Sequence, residues 1–237
     1  MSDAQLLGLQ RDVGVIIVAG GSGTRIGGEE LKQFRWVAGK PMLLHSVQTF
    51  MARSDVGMVV CVLPQRYAGD PPPWLFQCDV DRLLVSVGGR TRSESVANGL
   101  DDLPDEAQIV LVHDAARPLV DAETIDRVVM SVRGGTSTIA ALPVVDTLKQ
   151  VGEDGVIVRT VSREGLWRAQ TPQAFPRAML EQAHISAQRD RVDATDDAAL
   201  VERIGLRVVV VPGSERALKI TTASDFARAD ALFLLPE

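Results

Sequence analysis

Residues Val13 to Phe34 read VGVIIVAGGSGTRIGGEELKQF. A β-forming run, Val13–Val18, gives way to a loop of small residues, and Arg25 and Lys32 follow. A continuous apolar strand is buried on both faces, as in a parallel sheet. Glycines at its end let the backbone approach a ligand closely. Successive N–H groups can then form a nest for an anion, most often a phosphate. Arg25 and Lys32 would add formal charge to those partial charges.

The same alternation runs along the rest of the chain. Val56–Leu63, Leu83–Val87, Ile109–His113, Ser137–Leu142 and Leu206–Val211 read as strands. The helices between them have legible starts. Pro41 suits the first position of a helix over PMLLHSVQTFMA. Thr91 with Glu94, and Thr222 with Asp225, have capping-box spacing. Asp121 precedes another helix, and Thr195 is followed by Asp196 and Asp197, acids that suit a positive helix end. This order predicts an α/β doubly wound domain, residues 1–237 as one unit, with ligands at the carboxyl ends of the strands.

One stretch departs from the alternation. Thr147–Val151 and Val156–Val161 are β-type runs around the turn GEDG, a hairpin by pattern. Placed between parallel-sheet units, an arm over residues 146–170 should project from the body. Its Leu148, Val151, Val156 and Val158 need cover, either from their own domain or from a partner.

Composition narrows the class. Of 237 residues 46% are hydrophobic and 24% charged, as in ordinary globular proteins. The net charge of −6 and only 4% aromatic residues disfavour a nucleic-acid surface. Cys61 and Cys78 form no CxxC pair, and the three histidines lack metal-protease spacing, so we expect a reduced, cytoplasmic chain. MSDAQLLGLQRD is not a signal peptide by pattern, and no apolar run is long enough to span a bilayer.

The loop fits none of the common nucleotide motifs. A dinucleotide fingerprint needs a third glycine where Ile26 stands, and an acid about 20 residues on, where none occurs between Glu30 and Asp55. A Walker loop fails because Pro41 follows Gly39-Lys40. A nucleophile elbow fails at Thr24.

AGGSGTRIG followed by LKQF resembles the signature of sugar-phosphate nucleotidyltransferases. GGRTRSESVANGL (Gly88–Leu100), VLVHDAARPLV (Val110–Val120), LPVVDTLK (Leu142–Lys149), SREGLWRAQTPQAF (Ser162–Phe175), ATDDAAL (Ala194–Leu200) and LKITTASDF (Leu218–Phe226) follow in order. Together they resemble the 2-C-methyl-D-erythritol 4-phosphate cytidylyltransferase family, over nearly the whole chain. Ribitol-5-phosphate cytidylyltransferases share the loop and the LKQF- and QTPQ-like stretches. HDAARP with SREGLW favours the first family. A sugar-nucleotide-binding module without catalysis is the non-enzyme alternative, and it predicts missing cations, whereas Arg25, Lys32 and Lys219 are present.

The resemblance implies a Rossmann-like domain whose β-arm builds a homodimer. It implies CTP and a sugar-alcohol phosphate as substrates and Mg²⁺ as cofactor, with no nucleic-acid or membrane partner. By the same resemblance Arg25, Lys32 and Lys219 work at the reacting phosphates. Ala19, Gly20, Gly21, Gly23, Gly89, Ser95 and Ala115 line the nucleotide. Asp114 holds the metal and touches the second substrate. Arg117, Thr147, Thr171 and Thr195 face that substrate, and Arg163 reaches a partner's substrate phosphate. Val18, Gly20, Thr24, Leu31, Arg90 and Ala217 depart from family habit without removing a principal cation or Asp114.

Overall fold

The computed structural model describes residues 10–21 and 31–235. Its centre is a seven-stranded sheet. In chain order the strands are β1 (Val13–Val18), β4 (Val56–Leu63), β5 (Leu83–Val87), β6 (Ile109–Asp114), β7 (Ser137–Pro143), β10 (Trp167–Pro176) and β11 (Val208–Pro212). They lie side by side as β11-β7-β10-β6-β1-β4-β5. Two short ribbons complete the strands: β2 (Trp36–Val37) with β3 (Lys40–Pro41), and β8 (Leu148–Val151) with β9 (Ile157–Val161). The helices are α1 (Met42–Met51), α2 (Gln65–Ala68), α3 (Arg92–Asp101), α4 (Ala122–Arg133), α5 (Arg177–Asp190), α6 (Asp197–Arg203) and α7 (Ala223–Phe233).

Residues of β1 alternate between the two faces, so the sheet needs cover on both. Val15 and Ile17 pack with Val47 and Phe50 of α1 and with Ile125 and Val128 of α4. Ile16 joins Val60 and Val112 under Val96 and Leu100 of α3, Leu180 of α5 and Leu200 of α6. A Cβ on Gly99 would come within 2.8 Å of Ile16 and 2.9 Å of Val62. Glycine there lets α3 lie close on the sheet and sets the height of its first turn. A third cluster seats α7 through Ala229 against Val37, Met42, Leu119 and Ile220.

The strand order reverses at β1, which is parallel to β4 on one side and to β6 on the other. The crevice at their carboxyl ends is the switch point where α/β sheets bind ligands. One expected boundary moves in a way that matters: β6 continues to Asp114, which pairs with Val18.

Two sequence expectations change, and two hold. Pro41 ends β3 and stands as the N-cap of α1 rather than inside it. Asp196 alone caps α6, its carboxylate accepting from the Ala199 N–H at 3.0 Å, while Thr195 precedes the cap and is exposed. The capping box of Thr222 and Asp225 forms, and Asp121 caps α4 through the Thr124 N–H at 2.7 Å.

The largest addition is β10, which runs antiparallel between β6 and β7. The hairpin forms as its own two-stranded sheet, with Leu148 opposite Val161. Val151, Val156, Ile157 and Val158 remain 50–64% exposed, so the arm is not covered by its own domain.

Candidate active site

The crevice between β1 and β6 opens into a cavity of about 720 Å³. Ala19, Gly20 and Gly21 form its floor beyond β1, and Asp114, the last residue of β6, and Ala115 its wall. Gly89 and Ser95 close it from the loop and first turn of α3, and Lys32 and Lys219 bring ammonium groups to its rim. Arg25 and Gly23 lie outside the described residues.

Side chains hold the β1 loop and the β5 loop in place. The Gln33 amide donates to the carbonyls of Ala19 and Gly21, the latter at 3.2 Å. It therefore reads the backbone of the small-residue loop from below. Lys32 Nζ donates to the Ile220 carbonyl at 2.8 Å, which ties it to the segment carrying Lys219. Ser95 Oγ accepts from the Gly89 N–H at 3.1 Å and donates to the Thr91 carbonyl at 2.8 Å. A Cβ on Gly89 would meet the Glu94 Cβ at 2.3 Å, so only glycine keeps this backbone against α3.

Asp114 is the electrostatic centre. Lys219 Nζ lies 2.7 Å from Oδ2 and Arg92 Nε 3.6 Å from Oδ1. Burial alone would raise its pKa, but Lys219, Arg92 and Arg117 outweigh burial and hold it at about 2. The group is a carboxylate at any working pH.

A relay behind Asp114 fixes its backbone. His113 Nε2–H donates to the Arg117 carbonyl at 3.1 Å, which leaves Nδ1 as acceptor for the Thr171 hydroxyl at 3.1 Å. Thr171 Oγ1 accepts in turn from the Asp114 N–H at 3.0 Å. Burial pushes His113 down to about 4, so it is neutral and keeps this tautomer. The Arg117 guanidinium donates to the carbonyls of Ala217 at 2.7 Å and Ala169 at 3.4 Å. Thr171 and Arg117 are thus buried behind Asp114 and do not line the cavity.

The remaining expected residues are elsewhere on the chain. Thr147, Arg163 and Thr195 are exposed. Arg163 sits past the end of β9 and donates to the Val145 carbonyl across the base of the arm. Within one copy it is not part of the cavity.

Sequence reasoning passed over Gln33, Arg92, His113 and Thr221. Gln33 and His113 each adjoin a residue singled out, and Arg92 lies inside the quoted GGRTRSES. A polar residue that is buried by folding gives no sign of it in sequence.

The metal question turns on donors. Among the described residues no three His, Cys, Asp or Glu side chains gather to cage an ion. Asp114 is the one acid among the described residues lining the cavity. A single hard carboxylate fits a divalent ion that takes its other ligands from phosphate and water.

The family model described as IspD, 2-C-methyl-D-erythritol 4-phosphate cytidylyltransferase, matches residues 13–234. The chain belongs to this family. A 2-C-methyl-D-erythritol 4-phosphate cytidylyltransferase of Streptomyces coelicolor is 44% identical over 92% of this chain and 83% of the relative. One of Salinibacter ruber is 42% identical, covering 92% of each. The crystal structure of the enzyme of that name from Thermus thermophilus superposes with a TM-score of 0.80 at 34% identity, covering 94% of this chain and all of that one. No helix among the described residues is long and apolar enough to cross a membrane.

Proposed function

We propose that the chain condenses CTP with 2-C-methyl-D-erythritol 4-phosphate, giving the CDP-alcohol and pyrophosphate. The observation that carries this reading is the cavity itself. A small-residue loop, two ammonium groups and one permanently ionised carboxylate meet at the carboxyl ends of β1 and β6.

The chemistry needs little else. A phosphate monoester with a second pKa near 6 is already a nucleophile at neutral pH. Its oxygen bonds to the α-phosphorus of CTP while the bond to the bridging oxygen breaks, and pyrophosphate leaves with its electrons. No proton must be removed first, so the reaction calls for no general base. The barrier is charge meeting charge, so catalysis is positioning plus cationic stabilisation. Lys32 and Lys219, with Arg25, supply the cations. Ala19, Gly20, Gly21, Gly23, Gly89, Ser95 and Ala115 seat the nucleotide through backbone and small side chains. Mg²⁺ bound to Asp114 and the phosphates would neutralise further charge.

The exposed apolar arm supports a homodimer in which residues 146–170 reach a second copy of one nucleotidyltransferase domain. Arg163 then meets the partner's sugar-alcohol phosphate, with Thr147 and Thr195 on the exposed side, while Thr171 and Arg117 act on that substrate only through Asp114, which they brace from behind. The free thiols of Cys61 and Cys78 suit a reducing cytoplasm. A pyrophosphate-release assay with CTP and Mg²⁺ tests the reading. Turnover with methylerythritol phosphate is expected. Turnover with ribitol 5-phosphate alone would move the substrate assignment, and none with either would leave a binding module.

A further inference from the structure

Arg92 opens α3 and faces two carboxylates of different kinds. Its Nη1 donates to Asp197 Oδ2 at 2.7 Å. Asp197 is fully buried at the start of α6, where Oδ1 lies 3.0 Å from His184 Nε2 and its own N–H donates to Gln173 Oε1 at 3.2 Å. The anchor of Arg92 is therefore a walled-in charge with no room to turn.

Among the described residues the other edge of the guanidinium makes no hydrogen bond. Nε lies 3.6 Å from Asp114 Oδ1, inside ion-pair range but beyond a hydrogen bond. Nη2 shares that edge with Nε; it is buried and has no partner among the described residues. A donor left so is costly, and a carboxylate on an Nε–Nη2 fork is the geometry guanidinium favours. Asp114 is instead held by Lys219, whose flexible side chain is 47% exposed against 21% for Arg92. Lys219 is thus the freer partner of Asp114, and Arg92 the one anchored from behind by Asp197.

We infer that Arg92 is a positioning residue for Asp114. When Lys219 turns from Asp114 to the reacting phosphates, the carboxylate closes onto the Nε–Nη2 edge and stays oriented. Asp197, His184 and Gln173 are the backing that makes this edge rigid. The inference rests on the cytidylyltransferase reading and adds a handover that frees Lys219.

A double-mutant cycle tests it. Arg92→Met with Asp197→Leu removes both buried charges together, a replacement that buried pairs often tolerate. It should lower kcat/KM for the sugar-alcohol phosphate about 10–100-fold, the size seen for orienting groups. The KM for CTP should hold within about twofold. In an Asp114→Asn background the same change should cost no more than about twofold, because its target is gone. Arg92→Lys, which keeps a charge on Asp197 but lacks the fork, should behave alike and carries the cycle if the double variant does not fold. Losses that simply add to those of Asp114→Asn, an equal rise in KM for CTP, or full activity of Arg92→Lys would overturn the inference. Absence of turnover by the unaltered chain with either sugar-alcohol phosphate would overturn the functional reading and this inference with it.

Discussion

Lys219 Nζ lies 2.7 Å from Asp114 Oδ2, although the two residues are 105 positions apart and on different elements. The lysine follows β11 and the aspartate ends β6, so the contact exists only because the sheet brings both to one rim. The pair keeps Asp114 ionised and parks a cation beside the cavity. Lys219→Met should lower kcat roughly 10²–10³-fold, the usual loss of a transition-state donor. Pyrophosphate release at saturating CTP measures it, and a change confined to KM would contradict the role.

Gly89→Ala should weaken the nucleotide without unfolding the chain. The new Cβ has Glu94 Cβ in its way at 2.3 Å, so the loop must lift from α3 and carry the Ser95 contact with it. We expect the KM for CTP to rise about tenfold, as for a loss of about 1.4 kcal/mol. An unchanged KM, with the melting temperature unchanged, would show that this loop does not hold the nucleotide.

His113 predicts a pH dependence of stability. Burial holds it at about 4, against about 6.5 in an unfolded chain. Between those values the unfolded chain binds more protons. Its contribution is therefore complete above about pH 6.5 and is lost as the pH falls toward 4. Urea unfolding at pH 7.5 and 4.5 should differ by more in the native chain than in His113→Asn. Equal differences would mean that His113 does not titrate as its burial requires.

The arm makes a prediction about assembly. Val158→Asp places a charge on an apolar surface that we assign to a second copy, and it should yield monomers in sedimentation analysis. Arg163→Ala should cripple turnover while CTP affinity stays nearly intact. Mixed with Lys219→Met, it should regain activity, because one site of the mixed dimer then has both cations. No regain on mixing would place Arg163 in its own copy's site.

Much of this was legible beforehand, and for a common reason. The strands β1 and β4 are apolar on both faces and largely buried, and such runs belong in the covered interior of a parallel sheet. The small-residue loop after β1 and the acid after the strand of Val110–Val112 then had to meet at one end of it. Strand β10 escaped notice because WRAQTPQAFP is polar and holds Pro172. Its Gln170, Thr171 and Gln173 are buried yet satisfied, by Ser214, His113 and Asp196. Polarity that serves buried hydrogen bonds looks in sequence like polarity that serves solvent.

The residue types and their order thus determined the α/β class, the small-residue loop after β1 and the family. Tertiary structure alone decided which charges share Asp114. Arg92, Lys219 and Thr171 come from α3, the segment after β11, and β10, and a contact between distant elements is set by packing height and register, which no local pattern carries.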